Sequence, residues 1–287
     1  MGYFVDLKEK RWMALCLSIG AILMFSVMGV LVKFARQSIS LSHILFARSS
    51  VTLLALLPFI FRKKPFLGRR KKLLLLRGIF GLCAVTSFFY TIGGMKLFDA
   101  AILFQTVPMF IILFSLLFLG EEARRIEWVL IFIGFIGVSF VVKPTSGVFS
   151  NYALIGLLGA VSAAAAQTTI RAIGNSERTE VIVFYYVFIT SIASLPFSIP
   201  SLYRLTKDAM ILLIFIGITG TLAQLMMTRA YQLAKAKKIA IVKYLGVPLS
   251  AFWGFIFWNE LPDMWSLFGT SLIITALIPM ELMKDES

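Results

Sequence analysis

Apolar residues dominate this chain in long unbroken runs, not in the period-two or three-and-four spacing of a soluble strand or helix. Ten such runs lie at roughly 12–34, 41–61, 73–95, 98–119, 127–143, 152–172, 181–199, 209–230, 239–258 and 265–282, most of them near the length a helix needs to cross about 30 Å of hydrocarbon. The pattern predicts ten transmembrane helices, of which the fifth is the shortest. In lipid the backbone must satisfy its own hydrogen bonds, and helices apolar on every side do so while facing the acyl chains. Composition agrees, because 59% of the 287 residues are hydrophobic and the mean hydropathy is +0.91. A soluble domain is excluded, and the chain reads as an all-α polytopic membrane protein. The first run is long and lacks a small-residue cleavage site, so it is expected to remain as a span.

The chain carries 28 Lys and Arg against 14 Asp and Glu, a formal charge of +14. On the predicted spans, twenty of the basic residues fall at one set of helix ends, among them Lys8, Arg11, Arg69, Arg70, Lys71, Lys72, Arg124, Arg171 and Lys284. Only six fall at the other set, namely Lys33, Arg36, Lys96, Lys143, Arg204 and Lys207, while Arg48 and Lys243 lie within spans. Cytoplasmic ends of membrane helices collect Lys and Arg, so both termini are expected in the cytoplasm, N-in and C-in. The charge reports orientation, and no nucleic-acid partner is expected.

The chain also repeats itself. Leu57-Pro58-Phe59 returns as Leu195-Pro196-Phe197, and the stretch from Pro108 to Glu121 returns as Pro248 to Glu260, with an offset of about 140 residues. Arg77-Gly78-Ile79-Phe80-Gly81 lies over Ile216-Gly217-Ile218-Thr219-Gly220. Apolar helices match one another at Leu and Ile by chance, but not at Pro and Glu placed at corresponding ends. Lys143-Pro144, Gly147 and Asn151 supply turn chemistry between the copies, which divides the chain into units 1–146 and 147–287. Each unit holds five predicted spans, an odd number, so the second must enter from the opposite side of the membrane. Two inverted five-helix repeats, related by a pseudo-twofold axis in the membrane plane, form the plan of many secondary transporters.

Little in the chain would support enzymatic chemistry. His43 is the lone histidine, and HExxH, CxxC and paired intramembrane carboxylates are absent from the sequence. Cys16 and Cys83 fall in spans, where a thiol behaves as a small hydrophobe. No catalytic residue, metal or cofactor is predicted, and a membrane enzyme such as a lipid-modifying transferase is a remote alternative. All fourteen acids sit at or beyond span ends, so no mid-membrane carboxylate is available for proton coupling. Exchange or facilitated flux is favoured.

What the spans contain is neutral-polar and aromatic: Ser87 and Tyr90 in helix 3, Gln105 in helix 4, Gln167 in helix 6, Gln224 and Tyr231 in helix 8, and Tyr244 in helix 9. Gly217, Gly220, Gln224, Met227 and Tyr231 share one helical face, with Cys83, Ser87, Tyr90 and Gly94 as its counterpart on helix 3. An amide without a partner in hydrocarbon costs several kcal/mol, about 4–8 on the cyclohexane scale. These faces should therefore turn inward, as glue between helices or as the lining of a wet cavity, and the set as a whole favours a cavity. Phe25, Tyr90, Tyr231 and Tyr244 are suited to stack on a cationic centre of a substrate. Lys243 has two readings, a side chain snorkelling to the interface or a contact for a substrate carboxylate beside a helix loosened at Pro248. Arg48 is expected to bond a helix end or Glu260, with substrate contact as the second reading. Pro108 and Pro248 predict kinks at mirrored positions, suited to hinges. Glu121 and Glu260 are expected to be interfacial caps or ion-pair partners, with gating as the further option.

These residues resemble the EamA-type carriers of the drug/metabolite transporter superfamily. The similarity runs through Arg48 and Leu57-Pro58-Phe59, Arg77-Gly78, Gln105-Thr106-Val107-Pro108 to Leu119-Gly120-Glu121, Ile133-Gly134-Phe135-Ile136-Gly137-Val138 ahead of Lys143-Pro144, and Asn259-Glu260. The resemblance implies ten helices in two inverted repeats, a central cavity lined mainly by helices 1, 3, 4, 6, 8 and 9, and transport of small metabolites. Arg77-Gly78 to Tyr90 and Tyr244 to Asp263 are similar to the S-adenosylmethionine uptake carriers of intracellular bacteria, with departures at Lys243-Tyr244 and Pro248. A monomer in a bacterial cytoplasmic (inner) membrane is expected, its partners being the lipid bilayer and a small polar or zwitterionic substrate. Export of amino acids or drugs, and riboflavin-like uptake, are the alternatives.

Overall fold

The computed structural model describes residues 2–61, 67–107, 109–111, 113–114, 125–142, 151–233 and 245–283. Among them the regular structure is helical, with no strand. The first half contributes α1 (Gly2–Ala35), α2 (Leu41–Ile60), α3 (Lys71–Gly94), α4 (Leu97–Phe104) and α5 (Arg125–Val142). The second contributes α6 (Asn151–Ile173), α7 (Thr179–Ser198), α8 (Lys207–Leu233), α9 (Gly246–Trp258) and α10 (Met264–Met283). Six of these, α1, α2, α3 and α6 to α8, are long and apolar enough to cross a membrane, and α4, α5, α9 and α10 carry shorter apolar stretches. Large apolar side chains such as Leu54, Phe132, Phe197, Phe215, Phe252 and Trp265 stand exposed on the outside, as a lipid-facing surface requires.

Two predicted spans differ from expectation. The fourth, expected to run unbroken from 98, gives way to a turn at Gln105 and Thr106, whose N–H groups reach back to Ile102 (2.9 Å) and Leu103 (3.2 Å) in the tighter three-residue pattern. The described part of the ninth begins at Gly246, which puts Pro248 in its first turn. Prolines are tolerated there because the first-turn N–H groups have no intrahelical partner; the residues before Leu245, which would show a kink at Pro248, lie outside the described ones.

Packing pairs the two halves. α3 lies on α6 as α1 lies on α8; α2 lies on α8 as α3 lies on α7; and α2 meets α7, α4 meets α9 and α5 meets α10. Exchanging every helix for the one five places along leaves this set of contacts unchanged. α2 and α7, which hold Pro58 and Pro196 in corresponding places, run antiparallel. Arg178 at the start of α7 donates to the carbonyls of Phe59 and Ile60 at the end of α2, both at 3.2 Å. Ser42 at the start of α2 donates to the Phe197 carbonyl at the end of α7, also at 3.2 Å. Each helix thereby covers orphan carbonyls of its counterpart. The corresponding glycines Gly78 and Gly217 mark equivalent crossings, since a Cβ would meet Ile189 Cδ1 of α7 at 2.4 Å in one case and Val51 Cβ of α2 at 2.6 Å in the other.

At the basic end of the bundle the buried Glu177 carboxylate accepts the backbone N–H groups of Arg69 and Arg70, both at 2.6 Å, just before α3. A carboxylate at a helix N-terminus meets orphan donors and the positive end of the helix dipole. Gln232 of α8 donates to the Glu177 carbonyl at 3.1 Å and Tyr185 to the Leu67 carbonyl at 3.0 Å, which ties α3, α7 and α8 together. Glu177→Ala is expected to cost about 2 kcal/mol of stability, read as a lower melting midpoint of the detergent-solubilised protein. An unchanged midpoint would refute the capping role.

Candidate functional site

A cavity of about 290 Å³ lies among the helices, lined from α1, α2, α3, α4, α6, α7, α8 and α9. All six helices implied by the family resemblance contribute, and α2 and α7 are added through Arg48 and Tyr186. Phe25, Phe88, Phe89 and Phe104 form much of its apolar wall, with Phe88 and Phe104 edge to face at 4.6 Å. Gln105, Gln167, Gln224 and Tyr231 supply neutral polar groups. Tyr231 donates to Gln167 Oε1 at 3.0 Å, and Gln224 donates to Thr228 Oγ1 at 3.1 Å, so part of the polar set is already oriented.

Five of the expected substrate contacts, Phe25, Gln105, Gln167, Gln224 and Tyr231, thus share one cavity. Ser87 and Tyr90 do not line it. The cavity face of α3 runs through Arg77, Gly81, Ala84, Val85 and Phe88, whereas Ser87 and Tyr90 point toward α6. A Cβ on Gly159 would lie 2.5 Å from Ser87 Cβ, and the Tyr90 ring stacks on Tyr152 with centroids 4.8 Å apart. For these two, the helix-glue reading describes their surroundings. Lys243, Tyr244, Pro108 and Glu121 lie outside the described residues.

Arg48 is where sequence reasoning and structure diverge. It does not reach Glu260. Its Nη1 donates to Tyr186 Oη at 2.5 Å, and its guanidinium lies over the Phe89 and Tyr186 rings at 5.8 and 5.4 Å. Arg48 and Tyr186 occupy corresponding places in α2 and α7, and the antiparallel packing of those helices makes them neighbours. Arg77, read from sequence as one of many cytoplasmic-end cations, lies over the same Tyr186 ring at 4.8 Å and also lines the cavity. Both arginines are almost fully buried, with 2% and 5% of their surface exposed. Arg48 Nε and Arg77 Nε and Nη1 have no hydrogen-bond partner among the described residues. Gly81, four residues on, leaves room for this head, since a Cβ there would lie 2.2 Å from Arg77 Nη1.

Away from the basic end, Ser26 of the cavity wall adjoins a cluster of ionic and aromatic contacts. Glu260 pairs with Lys33 of α1, and its second oxygen accepts the Leu97 N–H at the start of α4 at 3.0 Å. Lys33 also donates to the Met95 carbonyl at 3.2 Å and sits over the Trp258 ring at 4.9 Å. Phe34 packs on Trp258 at 4.5 Å, and Trp253 donates to Ser26 Oγ at 2.6 Å. Glu260 is held there by the turn that ends α9. Asn259 takes left-handed backbone at φ 52°, and the N–H groups of Asn259 and Glu260 reach Phe255 and Gly254, each at 3.0 Å, a helix-ending motif that asparagine tolerates.

A helical bundle with an apolar outer surface, a mostly apolar interior cavity that carries a few convergent polar groups, and two halves packed as counterparts is the architecture of a multi-pass membrane carrier. The chain belongs to the EamA-like transporter family, which matches residues 12–143 and again 150–280. It is 36% identical to the pseudopaline exporter CntI of Pseudomonas aeruginosa, over 91% of this chain and 93% of that one. It is 25% identical to the S-adenosylmethionine uptake transporter of Rickettsia bellii, with 88% of each chain covered. Human solute carrier family 35 member G1 is 28% identical over 91% of this chain and 76% of its own. A solved crystal structure at 19% identity shares the fold, with a TM-score of 0.62 and coverage of 96% and 99%. The protein is a membrane transporter and not an enzyme.

Proposed function

We propose that the protein is a secondary transporter that moves a small polar or zwitterionic metabolite, of amino-acid-like or S-adenosylmethionine-like kind, across the bacterial cytoplasmic membrane by alternating access. The observation that carries this reading is the cavity between the two halves, which combines aromatic walls with convergent glutamines and arginines. Ten spans in two inverted repeats, 1–146 and 147–287, with both termini cytoplasmic, are supported by the antiparallel packing of α2 on α7 and by the charge asymmetry. In that orientation the Lys33–Glu260 region is the closed outer gate, and the cavity extends toward the cytoplasm through Arg77, Ile170 and Tyr231. Rocking of the repeats would open the outer gate and close the basic end in turn.

Outward transport is supported by the higher identity to an exporter, 36% against 25% for an uptake carrier. Uptake is the second reading and rests on the Rickettsia relatives. Proteoliposomes loaded or bathed with labelled S-adenosylmethionine, acidic and neutral amino acids, and riboflavin test both directions at once. Saturable flux of one class, reduced about tenfold or more by Gln224→Leu, is the expected result. An absence of saturable flux across the panel in either direction would remove the proposed amino-acid-like or S-adenosylmethionine-like substrate.

A further inference from the structure

We infer that Arg48 and Arg77 together receive two acidic oxygen groups of the transported molecule, so that the substrate is acid-rich at one end instead of cationic. The inference rests on the carrier reading and narrows its substrate.

Burial makes the case. A guanidinium is always charged and presents its donors in a planar fork, and placing such a charge in a bilayer-spanning bundle without a counter-charge is strongly unfavourable. Two stand here on adjacent helices, over one tyrosine ring. Among the described residues, the only hydrogen bond to either head is from Arg48 to the Tyr186 hydroxyl. Arg48 Nε and Arg77 Nε and Nη1 are left over but sealed by packing, so a ligand in the cavity would meet the remaining ends of the two guanidinium groups. Among the described residues lining the cavity there is no Asp or Glu. Helix packing alone would not require this. Gly81 and Gly220, corresponding residues of α3 and α8, keep the space that the two arginines fill, a Cβ meeting Arg77 Nη1 at 2.2 Å and Arg48 Nε at 2.8 Å. The room for both heads is built into matching helices of the two halves, while the charges come from the first half only. The counterparts of Arg48 and Arg77 are Tyr186 and Ile216. What remains is a positive pocket whose missing partner is a ligand with acidic oxygens, to which each guanidinium can offer a charge-assisted hydrogen bond. The phenylalanines and glutamines on the other side of the cavity suit an apolar or amide-bearing body attached to those groups.

Two sources of the anion, paired carboxylates or a phosphate, share this chemistry and are separated by the ligands tried. Purified full-length protein is titrated with glutarate, glutamate, glycerol 3-phosphate, lysine and S-adenosylmethionine, with thermal stabilisation as the binding readout. The expected result is stabilisation by glutarate or by glycerol 3-phosphate, whichever source applies, in preference to lysine. Arg77→Gln should weaken that binding about ten- to hundredfold, the range for loss of a charge-assisted bond, and Arg77→Lys should weaken it less. The ligand-free melting midpoint carries a second, independent outcome. Arg77→Gln should leave it unchanged or raise it, because an unpaired charge is removed, whereas a structural arginine would lower it. A fall in the ligand-free midpoint, or preferential stabilisation by lysine or S-adenosylmethionine that survives Arg77→Gln, would overturn the proposal while leaving a carrier. Conversely, Arg77-dependent anion binding without flux of the labelled form of that anion would keep the site and remove the reading of it as the substrate site.

Discussion

Glu260→Ala should lower the melting midpoint of the purified protein sharply, because it strips the counter-charge from a lysine that the fold has taken out of water. Lys33 is only 9% exposed, and without Glu260 it keeps the Met95 carbonyl and the Trp258 ring as contacts. Removing one partner of a buried ion pair costs about 3–5 kcal/mol, most of it the desolvation of the charge left behind. The Leu97 N–H loses its acceptor as well, at the unsatisfied first turn of α4. Because the penalty lies in the stranded lysine, Lys33→Met on the Glu260→Ala background should recover much of the lost stability. A double-mutant cycle measures this directly, and additivity within about 0.5 kcal/mol would mean that the two groups are not coupled. Transport assays should separate the pair from mere scaffolding. If it closes the outer gate, the weakened variant shifts toward the outward-open state, and thiol labelling of a cysteine placed at Ser26 should become faster from outside.

The fold was legible in the sequence wherever backbone physics permits few answers. A chain in hydrocarbon must be helical, and runs near twenty residues locate the helices. The matched Pro58 and Pro196 exposed the duplication, and the structure uses those two helices as the antiparallel contact between halves. The break at Gln105 was legible only in part: a proline at 108 cannot supply the N–H that would bond the Phe104 carbonyl, which places the predicted kink nearby, but nothing in the apolar run marks the tighter turn itself. The polar half of the cavity could be read, since amides must face inward, but the helical phase of α3 could not. Ser87 and Tyr90 look inward-facing on a wheel, yet the close fit of Gly159 against Ser87 turns that face to α6 and leaves Arg77 and Phe88 to the cavity. Arg77 was hidden by its company. It closes a stretch, 62–77, in which half of the residues are Lys or Arg, and nothing local distinguishes the one that folds inward.

That distinction can be tested at Gly81 without touching either charge. Alanine normally stabilises a helix over glycine by about 1 kcal/mol, so Gly81→Ala should stabilise α3 unless space is the issue. Here the new methyl would stand 2.2 Å from Arg77 Nη1 and 2.6 Å from Tyr186 Cδ2. The Arg77 head gives way at the end of a flexible chain, but the Tyr186 ring, held by its bond to Arg48, must shift as well. The expected variant folds with a lower melting midpoint, and binds acidic ligands about tenfold or more weakly, the loss that one displaced charge-assisted bond brings. Gly220→Ala should act on Arg48 in the same sense and more mildly, since its Cβ contacts are looser, 2.8 Å to Arg48 Nε and 3.0 Å to Met28 Sδ. Gly29→Ala is the control, with its nearest neighbour, Leu97 Cδ1, at an ordinary 3.8 Å. The predicted order of lost affinity is Gly81, then Gly220, then Gly29. Should all three alanines bind alike, the two glycines serve helix packing alone, and the cavity's arginines are not held in place by the space around them.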